Sequence, residues 1–136
     1  MRELSPGSRA EVRFTVQRAM LARFGEREIH PVLSTAWLVY HLEWAARQLL
    51  ETCLEVGEEG VGVGVDIRHL GHAPLGSHVR AEAELLRQSE GHFVCRVRAE
   101  TARGPVAAGV VYQAVWSRER LRGMLLAGSQ GSGSED

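Results

Sequence analysis

The chain contains no lysine and no asparagine. Every basic residue is therefore an arginine (apart from histidine), and chemistry that needs a lysine nucleophile or a lysine Schiff base is excluded. N-glycosylation requires an asparagine and is excluded as well. Cysteine is scarce, and Cys53 and Cys95 are too few for a disulfide framework in a chain of this length. We therefore expect a protein of a reducing compartment, the cytoplasm.

Long hydrophobic runs are also missing. No stretch without a charged residue is longer than 104–117, which is shorter than the roughly 20 apolar residues of a membrane-spanning helix. The first residues lack the apolar run of a secretory signal. The chain has 16 basic and 17 acidic residues, interspersed, and a net charge of −1. This composition predicts neither a membrane partner nor a nucleic-acid partner.

The length and the hydrophobic content predict one domain. A chain of 136 residues with 44% hydrophobic side chains should bury roughly two-thirds of its unfolded surface in a single core. We assign residues 1–126 to this domain. Residues 127–136, with the sequence AGSQGSGSED, have the composition of a disordered tail.

Alternating apolar and polar residues predict five strands. Val12, Phe14 and Val16 alternate with polar residues and indicate a half-buried first strand. Residues 18–33 lack this alternation and are predicted to form a loop with at most one helical turn. Four further strands are predicted at 61–70, 77–88, 92–101 and 105–116. The second and third of these four would form a hairpin with opposite charges across its solvent face.

One long helix is predicted before these four strands. Ser34 or Thr35 can cap its start, and apolar residues recur at spacings of three and four until Gly57. Apolar side chains cover more than half of its circumference, so other structure should largely enclose it. These elements indicate an α+β fold, in which a curved antiparallel sheet of about five strands wraps one central helix. The last strand is apolar on both faces and an edge is left uncovered, which favours dimerisation.

Three residues with catalytic potential lie on the helix and on the strand after it. His69 continues the period-two pattern of the apolar residues in 61–67, so its side chain should face the helix. Glu43 lies in the middle of that helix. A carboxylate and an imidazole that converge in an apolar interior can serve acid–base chemistry. Thr35 begins the helix, about 12 Å from Glu43 along its axis, where free backbone N–H groups favour a developing oxyanion.

Each of these residues also has a purely structural interpretation. Glu43 could pair with Arg47 one helical turn later. His69 could be a hydrogen-bonded core histidine, and Thr35 could be the helix N-cap. A metal site is not predicted from His69 and His72, because residues three apart on a strand point to opposite faces.

Other features around the helix have structural explanations of the same kind. The glycines at 60, 62 and 64 fit close packing of helix against strand better than a dinucleotide loop, since no helix follows them. Both cysteines fall on inward faces, which favours reduced core packing. The helix aromatics Trp37, Tyr40 and Trp44 could belong to the core or to an acyl pocket.

The segments around the three candidate residues resemble the hotdog-fold thioesterases, in particular the fluoroacetyl-coenzyme A thioesterase branch. The similarity covers roughly residues 10–116 and is carried by HPVLST at 30–35, HLEWA at 41–45 and VDIRHL at 65–70, with Pro74 and Gly76. In that branch the catalytic set is a Thr at the helix start, a Glu eight residues later and a His 26 residues beyond the Glu. Thr35, Glu43 and His69 match this set in type and spacing.

The resemblance implies a hotdog fold and an acyl-coenzyme A thioesterase that hydrolyses a small or medium acyl thioester without a cofactor or a metal. Glu43 would activate water or attack the carbonyl directly, and His69 would handle protons. Thr35 would position Glu43 or the carbonyl, and the backbone N–H of Gly62 would stabilise the oxyanion. Arginines would have to bind the coenzyme phosphates, because the chain has no lysine.

The resemblance also implies a homodimer, or a homotetramer built from it, with active sites at the subunit interface. One alternative is a non-catalytic protein that binds acyl-coenzyme A or serves in assembly on the same fold. A hotdog hydratase is disfavoured, because the Asp and His arrangement of that branch is not found.

One position departs from the branch. Its last strand has the pattern Gly-x-x-x-Arg-Ala-Val, whereas this chain has Gly109-Val-Val-Tyr-Gln113-Ala-Val115. A neutral amide therefore stands where the branch has a guanidinium. Gln113 is predicted to contact the substrate, and the identity of the acyl group stays open.

Overall fold

Five strands form one antiparallel sheet in the computed structural model, which describes residues 1–134. In chain order the elements are β1 (Arg9–Thr15), β2 (Leu21–Phe24), β3 (Arg27–Leu33), α1 (Thr35–Glu51), β4 (Glu58–His69), β5 (His78–Ser89), β6 (His92–Thr101), β7 (Gly104–Ser117) and α2 (Arg118–Ser134). The sheet has the order β1-β5-β6-β7-β4, and β2 pairs with β3 separately. The predicted α+β fold, with five antiparallel strands and one long helix in the core, is confirmed. The apolar β7 lies between β6 and β4, so β1 and β4 are the edges.

The core lies between α1 and one face of the sheet. The α1 side chains that are buried in this core are Leu38, His41, Leu42, Ala45, Ala46, Leu49 and Leu50. Each buried leucine contributes on the order of 2 kcal/mol of transfer free energy. β5 and β6 also contribute to the core, with Leu85 partly buried and the following residues buried: Val79, Ala81, Ala83, Phe93, Cys95, Val97 and Ala99. The opposite side of α1 is not covered, so the helix is only partly enclosed, contrary to the expectation from its apolar circumference.

The solvent face of the β5–β6 hairpin carries the predicted pairs of opposite charge. Arg80 lies opposite Glu100, and Glu82 lies opposite Arg98. The Glu82 side chain is only 8% exposed, and its carboxylate is 2.9 Å from Arg98 and 3.2 Å from Arg80. A third guanidinium, that of Arg9, is 3.7 Å away. The carboxylate can be largely covered because these cations surround it.

Ser34, not Thr35, caps the start of α1. Its Oγ accepts a hydrogen bond from the backbone N–H of Trp37 at 3.1 Å. Thr35 is the first helical residue, so its hydroxyl is free for another partner. The helix ends at Glu51, six residues before the predicted stop at Gly57, because the N–H groups of Thr52 and Cys53 fold back onto the last helical carbonyls.

A β-bulge in β4 changes which residues face α1. Gly62 pairs with Gln113 and Gly64 pairs with Tyr112, so Val63 is an extra residue in the strand. Even-numbered residues face the helix before the bulge, and odd-numbered residues face it afterwards. The prediction that 61–69 present their odd-numbered residues on one face is therefore wrong for Val61 and Val63. His69 does lie on the helix side.

The close packing predicted for the β4 glycines is found at Gly60. A Cβ at this position would lie 2.3 Å from Cδ2 of Leu50 and 2.6 Å from a guanidinium nitrogen of Arg47. A larger residue would have to displace these two side chains of α1. The absence of a side chain at Gly60 therefore leaves room for Leu50 and Arg47 against β4 near the candidate site.

Residues 18–33 form a hairpin rather than the predicted loop. After a 3₁₀ turn at Arg18–Met20, β2 and β3 pair around Gly25, whose φ of +62° suits glycine. Leu21 and Leu33, at the base of the hairpin, are buried, while most of the other residues are exposed. The alternation that reveals a half-buried strand is therefore missing from this segment.

The C-terminal segment forms a helix that reaches Ser134. We predicted a disordered tail over 127–136. The glycines and serines of that tail have low helix propensity, which is why its composition predicts no helix. Residues 135–136 lie outside the described residues, and the domain boundary at residue 126 stays a prediction. None of the helices in residues 1–134 has the length and hydropathy that crossing a bilayer requires.

A buried histidine on α1 links the fold to pH. The His41 ring stacks on Phe14 with 3.6 Å between centroids, and its Nδ1 lies 2.9 Å from the carbonyl oxygen of Trp37. Burial lowers the pKa of His41 below its usual 6.5, and the hydrogen bond to Trp37 opposes this only in part. The folded protein therefore holds the ring neutral where the unfolded chain would protonate it.

We expect this histidine to make the folded state less stable in acid. Because the folded pKa is the lower one, the full stability is present above pH 6.5 and is lost as the pH falls towards the folded pKa. The measurement is the free energy of unfolding by urea at pH 8, 7, 6 and 5 in the wild type and in His41→Phe. The wild type should lose more stability between pH 7 and pH 5 than the variant. Parallel curves would contradict this assignment.

Candidate active site

Thr35 and His69 form a hydrogen-bonded pair. Thr35 Oγ1 lies 2.9 Å from His69 Nδ1, and both side chains are exposed. The pair lines a cavity of about 360 Å³ between the start of α1, the end of β4 and the β2–β3 hairpin. Thr35 can reach the imidazole because Ser34 serves as the cap. His69 is therefore not the core histidine of the structural interpretation.

Glu43 lies in a second cavity, of about 330 Å³, on the open side of α1. The other residues that line it are Tyr40, Trp44, Arg47, Gly62, Val111 and Gln113. A Cβ at Gly62 would lie 3.5 Å from Oε2 of Glu43, so the carboxylate faces the backbone of β4 at this glycine. Chemistry on a carbonyl group can use a carboxylate together with an accessible backbone N–H, and the cavity brings a carboxylate next to the backbone of a strand.

Glu43 has no ion pair among the described residues. Arg47, the partner proposed in the structural interpretation, instead donates to Oε1 of Glu51 at 2.9 Å and to the carbonyl oxygen of Gly60 at 2.8 Å. The interpretation of Glu43 as the ion-pair partner of Arg47 is therefore wrong. A carboxylate beside an apolar cavity without a bound cation is available to act on a ligand.

The two groups of candidate residues do not meet within one protomer. Thr35 and Glu43 are about 12 Å apart along α1. Gly62 and His69, which accompany them on β4, are separated by roughly 20 Å of strand. The expectation that Glu43 and His69 converge in an apolar interior is wrong for a single chain, because both side chains are exposed and α1 runs antiparallel to β4.

Gln113 lies at the floor of the Glu43 cavity. It is directly opposite Gly62 in the pairing of β4 with β7. The residue is only 5% exposed, and its Nε2 is buried without a hydrogen-bond partner. The sequence prediction of a site residue at this position rested on the resemblance alone, and the structure places it beside Glu43 and Gly62.

The sequence left the role of the helix aromatics open. Tyr40 and Trp44 are 52% and 43% exposed and line the Glu43 cavity, whereas Trp37 packs against the core. Together with Glu43 and Arg47 they form one stripe of α1 at spacings of three and four. This spacing in a partly polar stripe is the signal that could have identified the cavity wall from the sequence.

Residues 16–119 match the family model described as fluoroacetyl-CoA-specific thioesterase. The chain belongs to this family. The match confirms the predicted hotdog thioesterase branch and the predicted class of activity, acyl-CoA thioester hydrolysis. A search of curated protein sequences gives no significant match.

Solved structures agree with this membership of the fluoroacetyl-CoA-specific thioesterase family. A Thermus thermophilus protein described as a thioesterase superfamily member is 30% identical, with a TM-score of 0.95 over 98% of this chain and 99% of that one. A variant of the fluoroacetyl-CoA thioesterase FlK in complex with fluoroacetate and CoA is 26% identical, with a TM-score of 0.77 over 87% of this chain and 99% of that one. A hot-dog-like protein from Thermanaerovibrio acidaminovorans, 23% identical, has a TM-score of 0.83 over 90% of each chain. The protein has the hotdog fold.

Proposed function

We propose that this thioesterase hydrolyses acyl-CoA esters with a small or medium acyl group, and that Glu43 carries the reaction. The observation behind the assignment is the unpaired Glu43 carboxylate, which faces Gly62 across an apolar cavity. Tyr40, Trp44 and Val111 supply the apolar wall for an acyl chain. The relative FlK, in a structure with fluoroacetate and CoA, supports this class of substrate.

In the proposed reaction the thioester carbonyl accepts a hydrogen bond from the backbone N–H of Gly62. The bulge at Val63 supports this role, because its extra residue interrupts the ladder beside Gly62. Glu43 either removes a proton from the attacking water or attacks the carbonyl to give an anhydride that water then opens. In both routes the C–S bond breaks, the thiolate of CoA takes up a proton, and a carboxylic acid is formed.

The active site is completed by a second subunit. The edge of β4 has no strand partner within the described residues, and Val63 is 56% exposed there. An edge of this kind can pair with its own copy around a twofold axis. An axis at Asp66, with Val63 left out of the register as the extra residue of the bulge, would set Gly62 opposite the partner subunit's His69. Both residues face the helix side, as directly opposed residues must.

This pairing would join the two halves that one protomer keeps apart. Glu43 and Gly62 of one subunit would meet the partner subunit's Thr35 and His69. The imidazole, held by the threonine hydroxyl at 2.9 Å, would then deliver the proton to the leaving thiolate or orient the attacking water. A homodimer is the smallest assembly that this arrangement requires.

The two cysteines support the proposed cytoplasmic location and leave a thiol assay undisturbed. Both are free and buried, and burial raises the pKa of Cys53 and raises the pKa of Cys95 to about 12. Because the thiolate is the reactive form, we expect neither to react with DTNB at pH 8 until guanidinium unfolds the protein. The check is the absorbance at 412 nm before and after denaturation. Rapid titration of the folded protein would contradict the burial of these thiols.

The test of the proposed function is release of CoA thiol from a panel of acetyl-, butyryl-, hexanoyl- and octanoyl-CoA. We expect saturable hydrolysis of at least one ester, with equal amounts of thiol and carboxylic acid formed. Saturable binding without thiol release would instead favour the non-catalytic acyl-CoA-binding alternative. Crotonyl-CoA, which has a carbon–carbon double bond, is added to the panel, and its conversion to a hydroxyacyl ester with the thioester intact would identify a hydratase.

A further inference from the structure

The amide of Gln113 is the least satisfied polar group of the Glu43 cavity. Among the described residues it is the one side chain with a fully covered nitrogen or oxygen that lacks a hydrogen-bond partner. Leaving such a donor unpaired destabilises the folded protein. None of the side chains that line the cavity, the Glu43 carboxylate and the Tyr40 hydroxyl included, accepts a hydrogen bond from Nε2. A buried donor of this kind fits a ligand that brings its own acceptor.

The position of Gln113 limits where that acceptor can be. Gln113 and Gly62 are paired across β4 and β7 on the same face of the sheet, and side chains in such pairs lie about 5 Å apart. A thioester carbonyl held at the Gly62 N–H would therefore place the second or third carbon of its acyl group at the Gln113 amide. The amide can rotate about its terminal bond, so Nε2 can turn towards the cavity.

The charge of the cavity limits what the acceptor can be. Glu43 carries an unpaired carboxylate, and the guanidinium of Arg47 is held by Glu51 and by the carbonyl of Gly60. A second carboxylate on the acyl group would be repelled by Glu43 without a free cation to balance it. A hydroxyl or a keto oxygen is neutral and accepts the hydrogen bond without this repulsion.

We propose, resting on the thioesterase function above, that Gln113 selects short acyl-CoA esters with a hydroxyl or keto oxygen on the second or third carbon. Such a substrate satisfies the buried amide, whereas the corresponding unsubstituted acyl group leaves it unpaired. The difference should be about tenfold in kcat/KM, the effect of one buried hydrogen bond. Esters with a second carboxylate should be poorer substrates than the neutral oxygenated ones.

The test compares kcat/KM between an oxygenated ester and the unsubstituted ester of the same chain length. Glycolyl-CoA is compared with acetyl-CoA. Each enantiomer of 3-hydroxybutyryl-CoA, and also acetoacetyl-CoA, is compared with butyryl-CoA. Succinyl-CoA, whose acyl group carries a second carboxylate, tests the effect of a negative charge in the cavity. In the wild type, kcat/KM for at least one neutral oxygenated ester should be about tenfold higher than for the matching unsubstituted ester. Gln113→Met, which removes the amide at similar length, should bring that ratio close to one. Gln48→Met makes the same chemical change on α1 outside the cavity and should leave the ratio as in the wild type.

The outcomes separate this inference from the proposed function. Hydrolysis of every pair at equal efficiency by the wild type overturns the selection by Gln113 and leaves the thioesterase in place. A preference for oxygenated esters that survives in Gln113→Met also overturns the selection by Gln113. So does a loss of rate in Gln113→Met that is equal for the oxygenated and the unsubstituted ester, which would make Gln113 a positioning residue for Glu43. Hydrolysis of none of the esters overturns the proposed function and this inference with it. The melting temperature of Gln113→Met should equal or exceed that of the wild type, since an unpaired buried donor has been removed.

Discussion

Replacing Glu43 by glutamine is expected to lower kcat for acyl-CoA hydrolysis by about a thousandfold. Glutamine keeps the size of the side chain and its position in the cavity with Tyr40, Trp44 and Gly62, but it can neither accept a proton from water nor form an anhydride. KM should change far less than kcat, because the apolar wall that binds the acyl chain is untouched. The measurement is the initial rate of CoA release over a range of concentrations of the best ester.

The matched control for this substitution is Glu51→Gln on the same helix. Glu51 is exposed and bonds to Arg47 instead of facing the cavity, so the same change there should leave kcat within about twofold, since exposed ion pairs are worth little. Equal rates in Glu43→Gln and the wild type would remove Glu43 from the mechanism. Label in the Glu43 carboxylate after a single turnover in H₂¹⁸O would identify Glu43 as the nucleophile, because it requires an anhydride that water opens at the Glu43 carbonyl. A general base leaves Glu43 unlabelled and places the label only in the released acid.

The sequence was sufficient for the elements with strong periodicity. β5 and β6 keep one alternation of buried and charged residues throughout most of their length, so their bounds differ from the prediction by at most one residue. The helix was predicted from its apolar spacing, and its start at Ser34–Thr35 from the residues that can cap it. These patterns reflect contacts within a few residues or with a continuous sheet face, which a sequence records directly.

Periodicity failed where a single residue or an exposed segment decides the structure. Val63 adds one residue to β4, so the β4 residues before it have their side chains on the opposite face of the sheet from the one that strict alternation predicts. The β2–β3 hairpin is exposed on most of its residues and therefore shows no pattern. Both features border the candidate site.

The candidate site itself was predicted as residue types at the right spacing, but not as an arrangement. Thr35 and His69 are hydrogen-bonded, a contact that the spacing did not predict. Glu43 and His69 were expected to converge and do not within one chain. A sequence carries no direct record of contacts that a second copy supplies, and spacing along α1 and β4 cannot reveal them.

A heterodimer of a Glu43→Gln protomer and a His69→Ala protomer is expected to recover about half of the wild-type activity, since a twofold dimer has two equivalent sites. If each site combines Glu43 of one subunit with the partner subunit's His69, one of the two sites in this heterodimer is intact and the other carries both lesions. The two homodimers, in which every site is damaged, should be nearly inactive. The measurement uses two affinity tags, co-expression and tandem purification, followed by the thiol-release assay.

The control heterodimer combines Thr35→Ala with His69→Ala. Thr35 and His69 are hydrogen-bonded within one protomer, so they belong to the same half of the site, and each of the two sites in this heterodimer retains one lesion. It should therefore show no more activity than its parents. A site contained within one subunit predicts no recovery in either heterodimer, and a stable monomer in sedimentation at micromolar concentration would exclude the shared site outright. Recovery by the first pair alone can arise only if the carboxylate and the imidazole act across the subunit boundary.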